Sequence, residues 1–278
     1  MKTKALILFG AILSLQSFPV AQTAERSDIG VVLIHGFGLT QVAPRIPQPF
    51  LRIEPLAVSL RKEGFTVVMP EMPWSPNRIM DATYNDAMKE IDAAVEKLKA
   101  EGTKHIVVGG HSLGANAALR YGATRSGLAG LIGLAPAWHP PTANNFPAIK
   151  KDVDRSREMV TAGKGDKKDL FTGNNCCPLF SATFWATPRI YLSYYDPDGD
   201  ALMPRNAAAV KAPVLWILGK HDGLFQVYGS HGIDYESFVY EKLPPNPFNR
   251  KVIIAADHAG TPEKAASDVL TWLKSLPQ

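Results

Sequence analysis

The chain has 278 residues, 46% hydrophobic and 20% charged, with a formal net charge of +4. This content supports one sizeable core and excludes extended disorder. The charge is small and scattered, so a nucleic-acid surface is excluded as well.

The first residues predict a removable export signal over 1–24, with one domain over 25–278. "MKTK" is a short basic head, and "ALILFGAILSL" (5–15) is apolar but too short to span a bilayer as a stable helix. Small residues follow, with cleavage after Ala21 or Ala24; Pro19 or Gln22 would then fall at position −3. A retained anchor is the competing reading. The export reading implies a secreted or periplasmic protein with no membrane span after signal removal.

Strand-like and helix-like segments then alternate. "IGVVLIHG" (29–36) predicts a buried strand, "PFLRIEPLAVSLRKEG" (49–64) a helix, and "FTVVMP" (65–70) a second strand. "DATYNDAMKEIDAAVEKLKAEG" (81–102) predicts a long amphipathic helix with a glycine stop. "HIVVGG" (105–110) is a third strand, followed by a helix from Ser112 to about Thr124, and "LAGLIGLAP" (128–136) is a fourth. "APVLWILG" (212–219) and "KVIIAA" (251–256) complete the strands. "TPEKAASDVLTWLKSL" (261–276) predicts a closing helix with Thr261 at its N-cap and Pro262 at its first position. The alternation implies an α/β fold, a mostly parallel sheet flanked by helices.

Residues 139 to about 205 break the rhythm. They are rich in Pro, Asn, aromatic and charged residues, carry no clear buried strand, and lie between two core strands. This predicts a cap insertion of short helices. "KGDKKD" (164–169) mixes charges of both signs and predicts a solvated loop. Cys176 and Cys177 are the two cysteines, adjacent in the cap. Two forms are open: a vicinal disulfide, which an oxidising compartment favours, or two separate thiols, which avoid ring strain. "DPDGD" (196–200) spaces aspartates as a calcium loop does, but lacks the glycine at loop position six and the glutamate at position twelve. A polar turn before a helix at about 203–211 is expected instead. Neither a metal nor a cofactor is expected from the motifs.

"GGHSLGANAALRYG" (109–122) carries the chemistry. Gly110-His111-Ser112-Leu113-Gly114 is a G-x-S-x-G sequence between a predicted strand and a predicted helix. In that setting the serine occupies a tight corner that lifts its hydroxyl above the sheet edge, and the helix start faces developing negative charge. The alternative is a structural turn in which Ser112 caps the helix. A serine hydroxyl needs a base, and the base an orienting acid, expected in the chain order Ser, Asp, His. Asp222 follows the strand at 212–219, and His258 follows the last strand. Both loops leave the carboxyl ends of strands, where open α/β sheets bind ligands. Asp257, beside His258, is the rival acid.

Fold and motifs together resemble the α/β-hydrolase superfamily over about 29–276. The resemblance implies Ser112 as nucleophile, Asp222 as acid and His258 as base. "HGFG" (35–38) resembles the family's oxyanion loop, which implies the backbone N–H groups of Phe37 and Leu113 as oxyanion donors. The expected activity is hydrolysis of carboxylic esters of a small-molecule acyl substrate through an acyl-enzyme. Thioesterase, lysophospholipase and peptidase activities on the same residues are alternatives, as is a non-catalytic binding protein of this fold.

Among the other histidines, His111 is expected beside the nucleophile, His35 to hold the oxyanion loop, and His221 behind Asp222 or in solvent. His105, His139 and His231 show no partner pattern. Phe171, Phe180, Phe184, Trp185, Tyr191, Tyr194 and Tyr195 either line a substrate pocket or glue the cap to the sheet.

Overall fold

A computed structural model describes residues 27–38, 50–174, 181–223 and 232–277. The leader at 1–24, Cys176, Cys177, Phe180 and His231 lie outside the described residues. Six strands form one parallel sheet: β1 (Ile29–Ile34), β2 (Thr66–Val68), β3 (His105–His111), β4 (Gly130–Leu134), β7 (Val214–Gly219) and β8 (Arg250–Ile254), in the order β2-β1-β3-β4-β7-β8. Each predicted core strand is present.

The central strands are continuous apolar runs because both faces of the sheet are covered. In β1, Val32 and Ile34 join one core, and Ile29, Val31 and Leu33 join the other. β7 splits likewise: Trp216 and Leu218 face one side, Leu215 and Ile217 the other. The first face is covered by α2 (Tyr84–Ala100), α3 (Leu113–Thr124) and part of the cap. The second is covered by α1 (Glu54–Lys62) and the C-terminal helix. Each fully buried Leu, Ile or Val contributes roughly 1.5–3 kcal/mol, so these two layers dominate the folding drive.

Local sequence sets the helix ends. Thr83 caps α2: its hydroxyl accepts from the Asp86 N–H at 3.1 Å and donates to the Asp86 carboxylate at 2.6 Å. Gly102 ends that segment at φ +89, a conformation that glycine adopts without a Cβ penalty.

The cap departs from expectation in one respect. Helices α4 (Pro140–Ala143), α5 (Pro147–Thr161) and α6 (Pro188–Tyr195) were foreshadowed, but a two-stranded antiparallel hairpin lies among them. It pairs β5 (Asp169–Asn174) with β6 (Ser181–Ala186). Its strands alternate: Phe171 opposite Phe184 faces inward and is buried, while Leu170 opposite Trp185 faces solvent, with Trp185 65% exposed. So short an alternation, broken by polar residues, is masked when a buried apolar run is sought. The mixed-charge stretch before β5 is a turn, as predicted. Helix α7 (Met203–Ala209) returns the chain to β7, and α8 (Gly232–Glu241) precedes β8.

The closing helix is corrected in two details. It is two helices, α9 (Thr261–Lys264) and α10 (Ala266–Ser275), joined at Ala265. Gly260, not Thr261, is the N-cap of α9, and the Thr261 hydroxyl instead donates to the Asp257 carbonyl at 2.7 Å. Among the described residues, no helix is long and apolar enough to cross a membrane.

Candidate active site

Ser112 stands between β3 and α3 at φ 58, ψ −122, a backbone conformation that costs a non-glycine residue of order 1–3 kcal/mol. Its surroundings over-determine it. The Ser112 N–H donates to Leu134 O at 3.0 Å, and Ser112 O accepts from Ala115 N at 3.0 Å and from Asn116 N and Ala137 N at 3.3 Å. The flanking glycines are steric necessities. A Cβ on Gly110 would overlap the Gly114 carbonyl, and one on Gly114 would lie 2.6 Å from His35 O. The Ser112 side chain makes no capping hydrogen bond to α3, so a capping role does not explain the residue. Leu113 is the first residue of α3, and its N–H belongs to the first-turn donors that a helix leaves without intrahelical partners.

The loop after β1 lies against this corner. A Cβ built on Gly36 would sit 3.0 Å from Ser112 Cβ. His35 holds the loop from within, as expected. Its buried ring accepts from the Met72 N–H at Nε2, 2.9 Å, which fixes the proton on Nδ1; that atom lies 2.7 Å from Gly36 O and donates to it. The His35 carbonyl accepts from Trp74 Nε1 at 2.9 Å. Burial pushes the His35 pKa down from 6.5 to about 4, so the ring is neutral and unsuited to proton transfer at neutral pH. Phe37, the next residue but one, is half-buried, with its ring 5.1 Å from that of Trp138.

Asp222 and His258 come together from separate loops. The Lys220 N–H donates to Ile254 O and the His221 N–H to Ala256 O, so the segments after β7 and β8 are stitched to each other. His258 Nδ1 lies 2.6 Å from Asp222 Oδ2, with the aspartate side chain fully buried and the imidazole 18% exposed. Asp257 is engaged elsewhere: its exposed carboxylate accepts from the Gly260 N–H at 2.7 Å. His111, the residue before Ser112, is buried with its ring 4.7 Å from that of His258, and its Nε2 donates to His258 O at 2.8 Å. Burial drives the His111 pKa well below 6.5. His221 is exposed.

Sequence reasoning missed a second buried carboxyl–imidazole pair. His139 Nε2 lies 2.7 Å from Glu236 Oε1, and both side chains are buried. Burial raises the Glu236 pKa, and Asp222 and His258 are near enough to act on it. Glu236 lies beside Tyr235, but Asp234, Ser237 and Glu241 in the same run (232–241) left it without a distinct signal. The cap aromatics resolve toward packing. Phe171, Phe184, Tyr191, Tyr194 and Tyr195 are buried in the core, with Phe171, Tyr191 and Tyr195 stacked in series at 4.6 and 4.5 Å. In 196–200, Asp196 pairs with Arg157, Asp200 pairs with Arg120, and the Asp198 N–H donates to the Asp196 carboxylate. They form a polar turn before α7. Among the described residues no His, Cys, Asp and Glu cluster suits a metal.

The alpha/beta hydrolase family model matches residues 31–267. The chain is an α/β-hydrolase. Sequence comparison with curated proteins finds no match. Solved structures share the fold of this α/β-hydrolase at low identity. A monoacylglycerol lipase of Paleococcus ferrophilus is 22% identical with a TM-score of 0.59, covering 91% of this chain and 96% of its own. Est1E of Butyrivibrio proteoclasticus, solved with ferulic acid bound, is 15% identical with a TM-score of 0.62, covering 92% of each chain. The siderophore hydrolase EstB of Aspergillus fumigatus is 14% identical with a TM-score of 0.56, covering 92% of this chain and 93% of its own.

Proposed function

We propose that this α/β-hydrolase is a serine hydrolase that cleaves carboxylic esters through an acyl-enzyme, with Ser112 as nucleophile, His258 as base and Asp222 as its orienting acid. The observation that carries this is the His258 imidazole, paired to a buried carboxylate and 4.7 Å from the ring of His111, the residue before the strained, uncapped Ser112. His258 Nδ1–H donates to Asp222, which leaves Nε2 as the basic nitrogen.

In the first step Ser112 Oγ attacks the acyl carbonyl while His258 Nε2 takes the hydroxyl proton. The carbonyl π pair moves onto oxygen, where the N–H groups of Phe37 and Leu113 receive the charge. Collapse of this adduct breaks the bond to the alcohol oxygen, which leaves with the proton from Nε2. Water then gives a proton to Nε2, attacks the acyl carbon, and releases the acid as Ser112 Oγ recovers its proton. Asp222 stays ionised throughout and stabilises the imidazolium.

The monoacylglycerol lipase and Est1E favour esters as the first substrates to test. A panel of acyl esters, thioesters and aminoacyl amides on purified protein sorts the bond type. A fluorophosphonate is expected to add once, at Ser112, and not to denatured protein. Labelling that survives in Ser112→Ala would remove the nucleophile assignment. The basic head and apolar run at 2–15 support export of the enzyme, which the mature N-terminal mass tests.

A further inference from the structure

Asn116 lies one turn beyond Ser112 on α3 and is fully buried. Its amide uses every group it has. Nδ2 donates to Trp138 O and to Ala201 O, both at 2.9 Å, and Oδ1 accepts from Tyr84 OH at 2.9 Å. Trp138 immediately precedes the cap insertion and Ala201 is near its end, so one side chain ties both roots of the cap to the helix after Ser112.

Trp138 is the more unusual partner. It is a bulky residue at φ 80, in the left-handed region, where such residues persist only when held. It is held three ways: its carbonyl by Asn116, its Nε1–H by Tyr194 O at 2.8 Å, and its ring by Tyr195 at 5.1 Å. The segment before it is fastened to the corner too, because the Ala137 N–H donates to Ser112 O. The fixed ring then meets Phe37 at 5.1 Å.

We propose that Trp138, set by Asn116, is a positioning residue for the oxyanion loop. The proposal rests on the serine-hydrolase reading above. One donor, the Leu113 N–H, is rigid with α3; the other, the Phe37 N–H, belongs to a loop from a different strand. Asn116, Trp138 and the Phe37 ring form a chain of contacts from α3 to that loop. Their contacts fix the spacing between the two donors. Oxyanion donors act only when aimed at the developing charge, and displacement of about 1 Å costs on the order of 100-fold in rate. The strain at Trp138 serves to aim its ring at the loop rather than at solvent.

The test compares Trp138→Leu, Trp138→Phe and Asn116→Asp by steady-state ester hydrolysis and by inhibition with a trifluoromethyl ketone. That ketone adds to the serine and places an alkoxide where the oxyanion forms. Trp138→Leu and Asn116→Asp are expected to lower kcat roughly ten- to hundred-fold, leave KM within about threefold, and weaken the inhibitor by the same factor as kcat. Trp138→Phe restores a ring against Phe37 and is expected to recover most of the loss. A purely structural role predicts no link between kcat and inhibitor affinity. If kcat in Trp138→Leu stays within about threefold of the parent, or falls while the inhibitor binds unchanged, the proposal is overturned. It is also overturned if the leucine and phenylalanine variants are equally impaired. Should Trp138→Leu not fold, Phe37→Leu removes the same contact from the loop side and carries the same expectations. Failure of the parent reading is separate: Ser112→Ala would then keep full activity and fluorophosphonate would not label the folded parent.

Discussion

His111 and His258 are joined by a hydrogen bond in which the ring of the first donates to the backbone carbonyl of the second at 2.8 Å. The residue before Ser112, the nucleophile of the proposed mechanism, thereby docks the loop that carries His258, its base. The bond fixes the tautomer of His111, because only Nε2–H can donate, and it adds to the ring contact that joins the end of β3 to the loop after β8. His111→Phe keeps a ring and removes the donor from a half-buried acceptor, at a cost of about 1 kcal/mol. Expected results are a lower Tm and a kcat reduced about tenfold or more, with partial recovery in His111→Gln, whose amide can donate. An unchanged kcat in the phenylalanine variant would show that the docking bond does not matter to the chemistry.

Asp222→Asn is expected to lower kcat by about 10⁴, because an amide facing Nδ1 favours the unproductive tautomer. Asp257→Asn is expected to stay within about threefold of the parent, since its carboxylate only closes a turn on Gly260. Side-by-side esterase rates decide between them, and a reversed order would make Asp257 the orienting acid.

Buried neutral histidines make the fold sensitive to acid. Unfolded, His35 takes up a proton near pH 6.5; folded, it does so only near 4. The unfolded chain therefore binds more protons over that interval, and stability falls as pH drops from 6.5 to 4, by about 3 kcal/mol in full. His111, pushed down by burial, acts in the same direction. Denaturant midpoints at pH 7 and 4.5 measure the slope. His35→Gln, which offers a donor and an acceptor but no titration, is expected to start less stable and to show a flatter slope; an unaltered slope would clear His35 of the effect.

Glu236 has the opposite sign. Its carboxyl pKa is raised by burial, so the folded state holds a proton that the unfolded state releases. Its contribution is present below the ordinary carboxyl range and is lost as pH rises through the raised value. Glu236→Gln, near in shape and unable to ionise, is expected to remove this loss and flatten the fall in stability as pH rises above the ordinary carboxyl range. An equal fall in the two proteins would show that Glu236 does not contribute to it.

The six core strands were legible because each is an apolar run ending at a turn, and the corner was legible because glycines flank Ser112 on both sides. Asp222 and His258 followed from chain order and strand ends. Other features left no pattern of that kind. Trp138 lies in "APAWHP" (135–140), where nothing announces a left-handed tryptophan, since its conformation is imposed by Asn116 and Tyr194 from elsewhere in the chain. The β5–β6 hairpin hid because it buries one face only and draws its partners from the cap itself. The Glu236–His139 pair hid because two lone residues far apart carry no spacing. The cap fell on Gly260 rather than Thr261 because the Thr261 hydroxyl is taken by a local bond to the Asp257 carbonyl four residues back.

β4 pairs with β7 in the sheet, yet the cap lies between Leu134 and Val214 in the chain. Newly made protein therefore emerges with the far edge of β4 unpaired until the whole cap has been synthesised. Parallel pairing of this span is slow, because a long loop must close before any contact rewards it. The edge is apolar, with Leu131, Ile132 and Leu134 buried in the finished sheet. Translation thus passes through a window in which the half-built sheet can recruit strands from other chains. A chain ending before β7, near residue 210, is expected to aggregate, whereas full-length protein is expected to stay dispersed at the same concentration. Yield of active enzyme should depend on how quickly residues 135–213 are translated; equal yields at fast and slow elongation would show that β4 is shielded by another route.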